Sequence, residues 1–315
     1  MRASKPHHLK TNDKTAIVTM MMTKSETTNQ QHSLAQMRAS LTGQIKGRGC
    51  LAVTGDEAEA FLNDLLTLDI TTLAPETVAS AALLTPQGRI LFDLLISLIT
   101  HDRHGFRLEC DLDRRDDLLK KLRLYRLRRA VDFTATDEHI HVALNTGEAK
   151  DKGYKDLRFA DHSICRYYTA GHADNDHEGE ADHSAYRAYR YRHVIPEGQA
   201  ELPSEKALPL EAGLDKHGAV SFDKGCFIGQ EVTARTRYRG LLKRRYTAFA
   251  ALAAITYPAD IRADDRLVGE VLGCTKDGDG WIGLANIRID ALSSGQPLIV
   301  ESQQIIPITA DESTT

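Results

Sequence analysis

The chain reads as an α+β protein that ends in a small β-barrel. Three patterns predict this. Over residues 51–144, short apolar runs alternate with two segments of helical period, an order that suggests a ferredoxin-like arrangement. After Gly240 the style changes to short alternating stretches punctuated by Gly, Asp and Pro, as in a small barrel. A length of 315 residues, 42% hydrophobic and 27% charged, suits two such units with ample core.

Residues 51–54 form the first strand. Gly55 and Asp56 open a helix, with Glu59 three residues after Asp56 as in a capping box. Ala58, Phe61, Leu62, Leu65 and Leu66 recur at helical spacing and give it one apolar face. Residues 78–84 are a strand, Thr85-Pro86-Gln87-Gly88 a turn with Pro and Gly well placed, and 89–100 a long returning strand. A turn over 101–105 leads to a strand at 106–110. Residues 113–127 are a helix that buries Leu118, Leu119, Leu122 and Tyr125, and strands follow at 131–134 and 140–144. Residues 171–184 carry five acids, three histidines and no large apolar side chain, the mark of a solvated loop. His172, His177 and His183 show no fixed ligand spacing, so no metal site is assigned. A helix over 185–194 stops before Pro196. Barrel strands fall at 246–252, 267–272, 281–287, 297–300 and 305–308.

The first forty residues are polar, hold all five methionines and have no apolar period. They lack the apolar core of a secretory signal, and Asp13, Glu26 and sparse arginines argue against an organelle transit peptide. The expected division is a disordered tail over 1–36, an α+β domain over 37–242 and the barrel over 243–315. No apolar run reaches the ~20 residues of a membrane helix, so no membrane partner is expected. Cys50, Cys110, Cys165, Cys226 and Cys274 stand far apart without a CxxC pair. That spacing gives neither a zinc pattern nor a disulfide frame, and a reducing, cytoplasmic setting is expected. A net charge of -4 gives no ground for general nucleic-acid binding. The basic runs 120–129 and 186–192 read as helices with a core face and a solvated arginine face, although the second alternates Tyr with Arg as base-stacking surfaces do.

The most specific segment is Lys224-Gly225-Cys226-Phe227-Ile228-Gly229-Gln230-Glu231. Its glycines let the backbone turn tightly and another group approach. Nearby cations and a helix start at Gln230 would favour thiolate over thiol at Cys226. A buried structural cysteine is the usual fate of a lone Cys, but it needs none of these neighbours.

With Ser221-Phe222-Asp223 before it and Ala234-Arg235 and Tyr238-Arg239-Gly240 after it, this segment resembles the signature of the YgfZ family. Those are folate-binding proteins linked to iron–sulfur enzyme maintenance and tRNA modification, and relatives of the glycine-cleavage T-protein. Leu84-Thr85-Pro86-Gln87-Gly88-Arg89, Ile195-Pro196-Glu197-Gly198 and Leu210-Glu211-Ala212-Gly213-Leu214-Asp215 fit as well, and the likeness runs over residues 40–310. The resemblance implies a folate-binding α+β domain with the barrel behind it, and tetrahydrofolate or a derivative as ligand. It implies iron–sulfur client enzymes or assembly factors as partners, with Cys226 as the reactive group.

It also implies that Glu211 holds the pterin, whose adjacent N–H donors suit one carboxylate. Unaided, Glu211 is only a glutamate near a glycine. The glutamyl tail of folate calls for cations, and Lys224, Arg235 and Arg89 are the candidates inside motif segments. Whether the protein catalyses anything turns on Asp93. T-proteins carry two adjacent acids after the glycine turn, whereas here the pair is Phe92-Asp93. An accessory maintenance factor is therefore the expected role, and a folate-dependent aminomethyl- or formyl-transferase the alternative.

Overall fold

A computed structural model describes residues 41–99, 105–144, 153–161, 163–170 and 183–308. The tail assigned to 1–36, and His172 and His177 in the acidic loop, lie outside them. The chain opens with β1 (Gly43–Ile45), β2 (Arg48–Thr54), α1 (Ala58–Leu65), β3 (Thr77–Leu84), β4 (Ile90–Leu98) and β5 (Gly105–Asp111). Next come α2 (Arg115–Arg126), β6 (Asp132–Thr136), β7 (Glu138–Leu144), β8 (Tyr154–Asp156), β9 (Ile164–Ala170), α3 (His183–Arg192) and α4 (Gln230–Tyr238). The last part holds β10 (Arg244–Ala251), β11 (Ala259–Ala263), β12 (Arg266–Asp277), β13 (Gly280–Arg288), α5 (Ile289–Ser293), β14 (Leu298–Val300) and β15 (Gln303–Ile308).

Strands β1 to β9 form one sheet in the order β1-β7-β9-β8-β3-β4-β5-β2-β6, antiparallel except where β3 meets β8. Side chains alternate across a strand, so a strand buried on both faces serves two cores. β3 does this. Ala79, Ala81 and Leu83 pack with α1 and α2, through Phe61, Leu62, Leu118 and Leu122. Ala82 and Leu84 face the other way, toward Tyr191, Leu202, Leu214 and Phe227 and the barrel residues Tyr246 and Leu284. The central sheet is thus the floor of a second layer built from α3, the long connection after it, and the barrel.

The barrel closes in the order β10-β13-β12-β11-β14-β15. Phe249, Ile261, Val271, Ala285, Ile287 and Leu298 fill it. α3 docks on its outside. Tyr191 lies so close to Gly273 that a Cβ there would overlap the phenol. Tyr191 also donates to Glu201 Oε1 at 2.9 Å, which fixes the ring between barrel and connection.

The α+β class and the terminal barrel are as expected, but the sheet is larger and the barrel has one more strand. β1, β8 and β11 have three to five residues each, too short to carry a periodic signal. β9 escapes a reading by pattern too, because Arg166 and Thr169 interrupt its apolar run. α1 takes Glu57 as N-cap without a side-chain cap bond, and the Glu57 carboxylate accepts from Ala130 N at 2.6 Å. Among the described residues, no helix is long and apolar enough to cross a membrane.

Candidate functional site

The motif segments of the sequence meet in space. Gly88, at φ +74°, ends the turn between β3 and β4, and Gly229, at φ +80°, caps α4. A Cβ on Gly229 would come within 2.6 Å of Thr85 O and 3.0 Å of Gly88 Cα. Both positions need a left-handed backbone, and the two segments can touch only because the side chains are missing. The turn therefore seats the start of α4, and with it the loop that carries the thiol. Phe227 is buried in the second core, while Cys226 beside it is exposed. The other four cysteines are buried. Burial, with Glu109 adding to it, pushes the Cys50 thiol far up. Burial also raises Cys110 and Cys274.

Lys224 turns inward. Its Nζ donates to Asn63 O at 2.5 Å, Leu66 O at 2.6 Å and Leu68 O at 2.7 Å, at the end of α1. Burial pulls this ammonium down to about 8, against the opposing pull of Asp69 and Asp64. Arg89 Nη1 donates to Lys206 O at 2.7 Å, so it braces its turn against the connection. Arg235 is exposed on α4. Arg237 covers the Phe222 ring with its guanidinium carbon 3.9 Å from the centroid. Glu211 joins the layers: Tyr246 N donates to its carbonyl at 2.7 Å and Asn286 Nδ2 to its carboxylate at 3.1 Å. The cleft beside Glu211, walled by Gly88, Leu210, Val232 and Thr233, holds only about 110 Å³. Small-molecule pockets run from roughly 300 to 1,000 Å³.

A larger cavity of about 660 Å³ lies elsewhere, between β2, the end of β5, α3 and the loop after Pro196. Behind its wall is a connected set of buried charges. Arg166, fully buried, reaches Glu109 at 2.8 Å, Asp156 at 3.2 Å and Glu197 at 2.6 Å. Arg158 pairs with Asp156 at 2.7 Å and Glu197 at 2.8 Å. Arg48 pairs with Glu109 at 3.0 Å, Asp111 at 2.9 Å and Asp93 at 3.2 Å. Two of these carboxylates hold the loop by its backbone: Gly198 N donates to Asp93 at 3.0 Å and Gln199 N to Asp111 at 2.7 Å. As expected of neighbours on a strand, Phe92 faces the helical core and Asp93 this network. Of these residues, only Asp93 and Glu197 stand in segments that the sequence marks out. The others carry a subtler signal, a charge inside an apolar strand, as in Phe106-Arg107-Leu108-Glu109-Cys110 and Ile164-Cys165-Arg166-Tyr167. Such charges need partners when buried.

Burial alone would raise the Glu197 and Asp156 carboxyls, but Arg166 and Arg158 outweigh it and hold both below the usual range. At Glu138, burial is likewise outweighed, by Arg107. Asp111 moves the other way: burial raises it, Arg48 opposes this, and Asp93 adds to the rise. Unfolded, these groups return to about 4. Around and below that value the unfolded chain binds more protons at Glu138, Asp156 and Glu197 than the folded one, so stability rises with pH there. Asp111 alone opposes this, since it takes up its proton first in the fold. His217, held below the usual imidazole range by burial, should give a first small fall in melting temperature as pH drops from about 7 to 5, and the carboxylates a steeper one below about pH 4.5. A melting temperature that stays level or climbs from pH 5 to 3 would show that these pairs do not set acid stability.

Comparison with known proteins gives these features a context. No family model matches the chain. The glycine-cleavage aminomethyltransferase T of Bartonella henselae shares the fold, with a TM-score of 0.70 over 87% of this chain and 88% of that one, at 12% identity. The human mitochondrial iron–sulfur cluster assembly factor IBA57 is 32% identical over 274 residues, which cover 77% of this chain and 76% of that protein. The mouse protein of the same name is 30% identical over 300 residues, 85% of this chain and 83% of its own length. These names correct the cytoplasmic expectation, because the mouse, human and Pyricularia oryzae relatives are all named mitochondrial. Unpaired cysteines indicate a reducing setting, which does not single out the cytoplasm. The match along more than four-fifths of the mouse protein places this chain in the family of the iron–sulfur cluster assembly factor IBA57.

Proposed function

We propose that this protein supports assembly or repair of iron–sulfur clusters in client enzymes, tRNA-modifying ones among them, by presenting the Cys226 thiol to a cluster-bearing partner. One observation carries the reading: of five cysteines, the only exposed one sits on a loop fixed at both ends. Thiolate is a soft ligand suited to iron. The relatives' names supply the process. A cationic run that follows the thiol in the sequence suits an acidic protein surface. Arg235, Arg237, Arg239, Lys243, Arg244 and Arg245 follow one another within eleven residues of a chain whose net charge is -4. The test is complementation: cells lacking the protein should lose iron–sulfur enzyme activity and regain it from the cloned chain. Full client activity without the protein sinks the proposal.

A second reading, that tetrahydrofolate or a derivative binds here, is supported by the 660 Å³ cavity. Its residues fit such a ligand. Tyr186 and Tyr191 supply flat apolar surface and Lys46 and Arg187 cations for the glutamyl tail, and a pterin would compete with Arg48 and Gln199 N for the Asp111 carboxylate. The 110 Å³ cleft at Glu211 is too small for a pterin with its benzoyl arm. Asp93 Oδ2 accepts from both Arg48 and Gly198 N, a structural use that favours an accessory role over aminomethyl transfer. In a calorimetric titration with tetrahydrofolate, Asp111→Asn should weaken binding about tenfold, the scale of one charge-assisted hydrogen bond. Glu211→Ala should leave it within about twofold. The reverse pattern would return the pterin to Glu211.

A further inference from the structure

We propose that Lys224 is a positioning residue, whose ammonium pins the Cys226 loop to the carboxyl end of α1 and so presents the thiol at one fixed place. This rests on the role proposed for Cys226. The carbonyls of a helix's last turn have no partners within the helix, and they carry its negative end. α1 has no basic residue in its own last turn. Lys224, more than 150 residues further along the chain, supplies the cation instead. Asn63 O, Leu66 O and Leu68 O converge on Nζ, with Asn63 Oδ1 at 3.3 Å as a fourth acceptor. An ammonium has three protons, and three carbonyls take them. The same Nζ lies 5.3 Å from the centre of the buried Phe227 ring.

Cys226 is therefore bracketed. One residue before it, Gly225 is exposed with no atom within 4 Å of where a Cβ would be. Two residues before it stands the clamp, and one residue after it the buried Phe227. Upstream, Ser221 N donates to Thr67 O at 2.8 Å, and Thr67 Oγ1 to Ala219 O at 2.6 Å. These anchors tie the loop to the end of α1 and the segment after it, and Gln230 Nε2 donates to Gly225 O at 3.4 Å from α4. Three oxygens converging on a point suit a compact ammonium. The planar fork of arginine cannot aim at all three, so Lys224→Arg should behave as a loss and not as a conservative change.

The test compares Lys224→Met, Lys224→Gln and Lys224→Arg in the full chain. Backbone amides of 225–228 should exchange with deuterium at least tenfold faster in all three, with α2 and the barrel unchanged. The pH midpoint for alkylation of Cys226 by iodoacetamide should stay where it is in the parent, since the clamp acts on place and not on charge. Rescue of iron–sulfur enzyme activity should fall at least tenfold. An upward move of the alkylation midpoint with unchanged exchange would overturn the proposal in favour of electrostatic activation. Loss of cooperative melting in both the Met and Gln variants would overturn it in favour of a fold residue, and full rescue by Lys224→Met would show that thiol position is irrelevant. Exchange and alkylation need no cluster. If Cys226→Ser rescues, the proposed function fails, yet these two arms still judge the clamp.

Discussion

Replacing Cys226 with serine should abolish rescue of iron–sulfur enzymes while leaving the protein as stable as before. The side chain is exposed on a loop whose hold on the fold comes from Lys224 and Phe227, not from the sulfur. Surface changes of this kind stay within about 0.5 kcal/mol, so the melting temperature should move by roughly 1 °C. Serine keeps the size but cannot ligate iron as a soft anion. Client activity should therefore drop to the level of cells without the protein. Iodoacetamide at pH 7 should label Cys226 well before Cys50, Cys110, Cys165 or Cys274, which are 0 to 7% exposed. Cys110→Ser is the matched control. It should lower stability, because a hydroxyl replaces a buried thiol, but rescue should persist in whatever folds. If Cys226→Ser rescues as well as the parent, the loop serves only to complete the packing around Gly88 and Gly229.

How much of this was legible in the sequence depends on the range of each interaction. The helical face Ala58, Phe61, Leu62 and Leu65 reads directly, because its periodicity is local. The turn at Gly88 and the glycine at 229 also read as special, but their mutual contact did not, since nothing local says which glycine meets which. Lys224 shows the limit most clearly. Two residues before a cysteine it reads as an activating cation or a ligand for folate carboxylates. Its actual partners lie at residues 63–68, and only the fold brings them near. Glu211 shows the same limit: its motif is conspicuous, but the contact of its carboxylate with Asn286 of the barrel cannot be read from it. The large cavity was invisible because its walls come from β2, β5, α3 and the loop after Pro196, and only that loop carried a recognised motif.

Arg166→Met should cost far more stability than Cys226→Ser, Glu211→Ala or Asp111→Asn. Arg166 is 0% exposed and binds three carboxylates, Glu109, Asp156 and Glu197, while its Nη2 also donates to Tyr186. Methionine keeps much of the volume, so packing loss is small and the result reports charge. Removing one partner of a buried ion pair leaves the others uncompensated, at about 3–5 kcal/mol, because a buried carboxylate without a counter-ion must either stay desolvated or take up a proton. The melting temperature should fall by roughly 10 °C. The loss should shrink as pH is lowered toward 4, since protonating the stranded carboxylates relieves the penalty only in the variant. Arg262→Met is the comparison, because its pair with Asp260 is more than half exposed on both sides and should be worth under about 1 kcal/mol. Equal and small losses for the two variants would mean that water reaches the network and that its charges are not truly buried. A large loss confined to Arg166 would mean that the loop bearing Glu197, and with it the wall of the 660 Å³ cavity, is held by charge pairing and not by apolar packing.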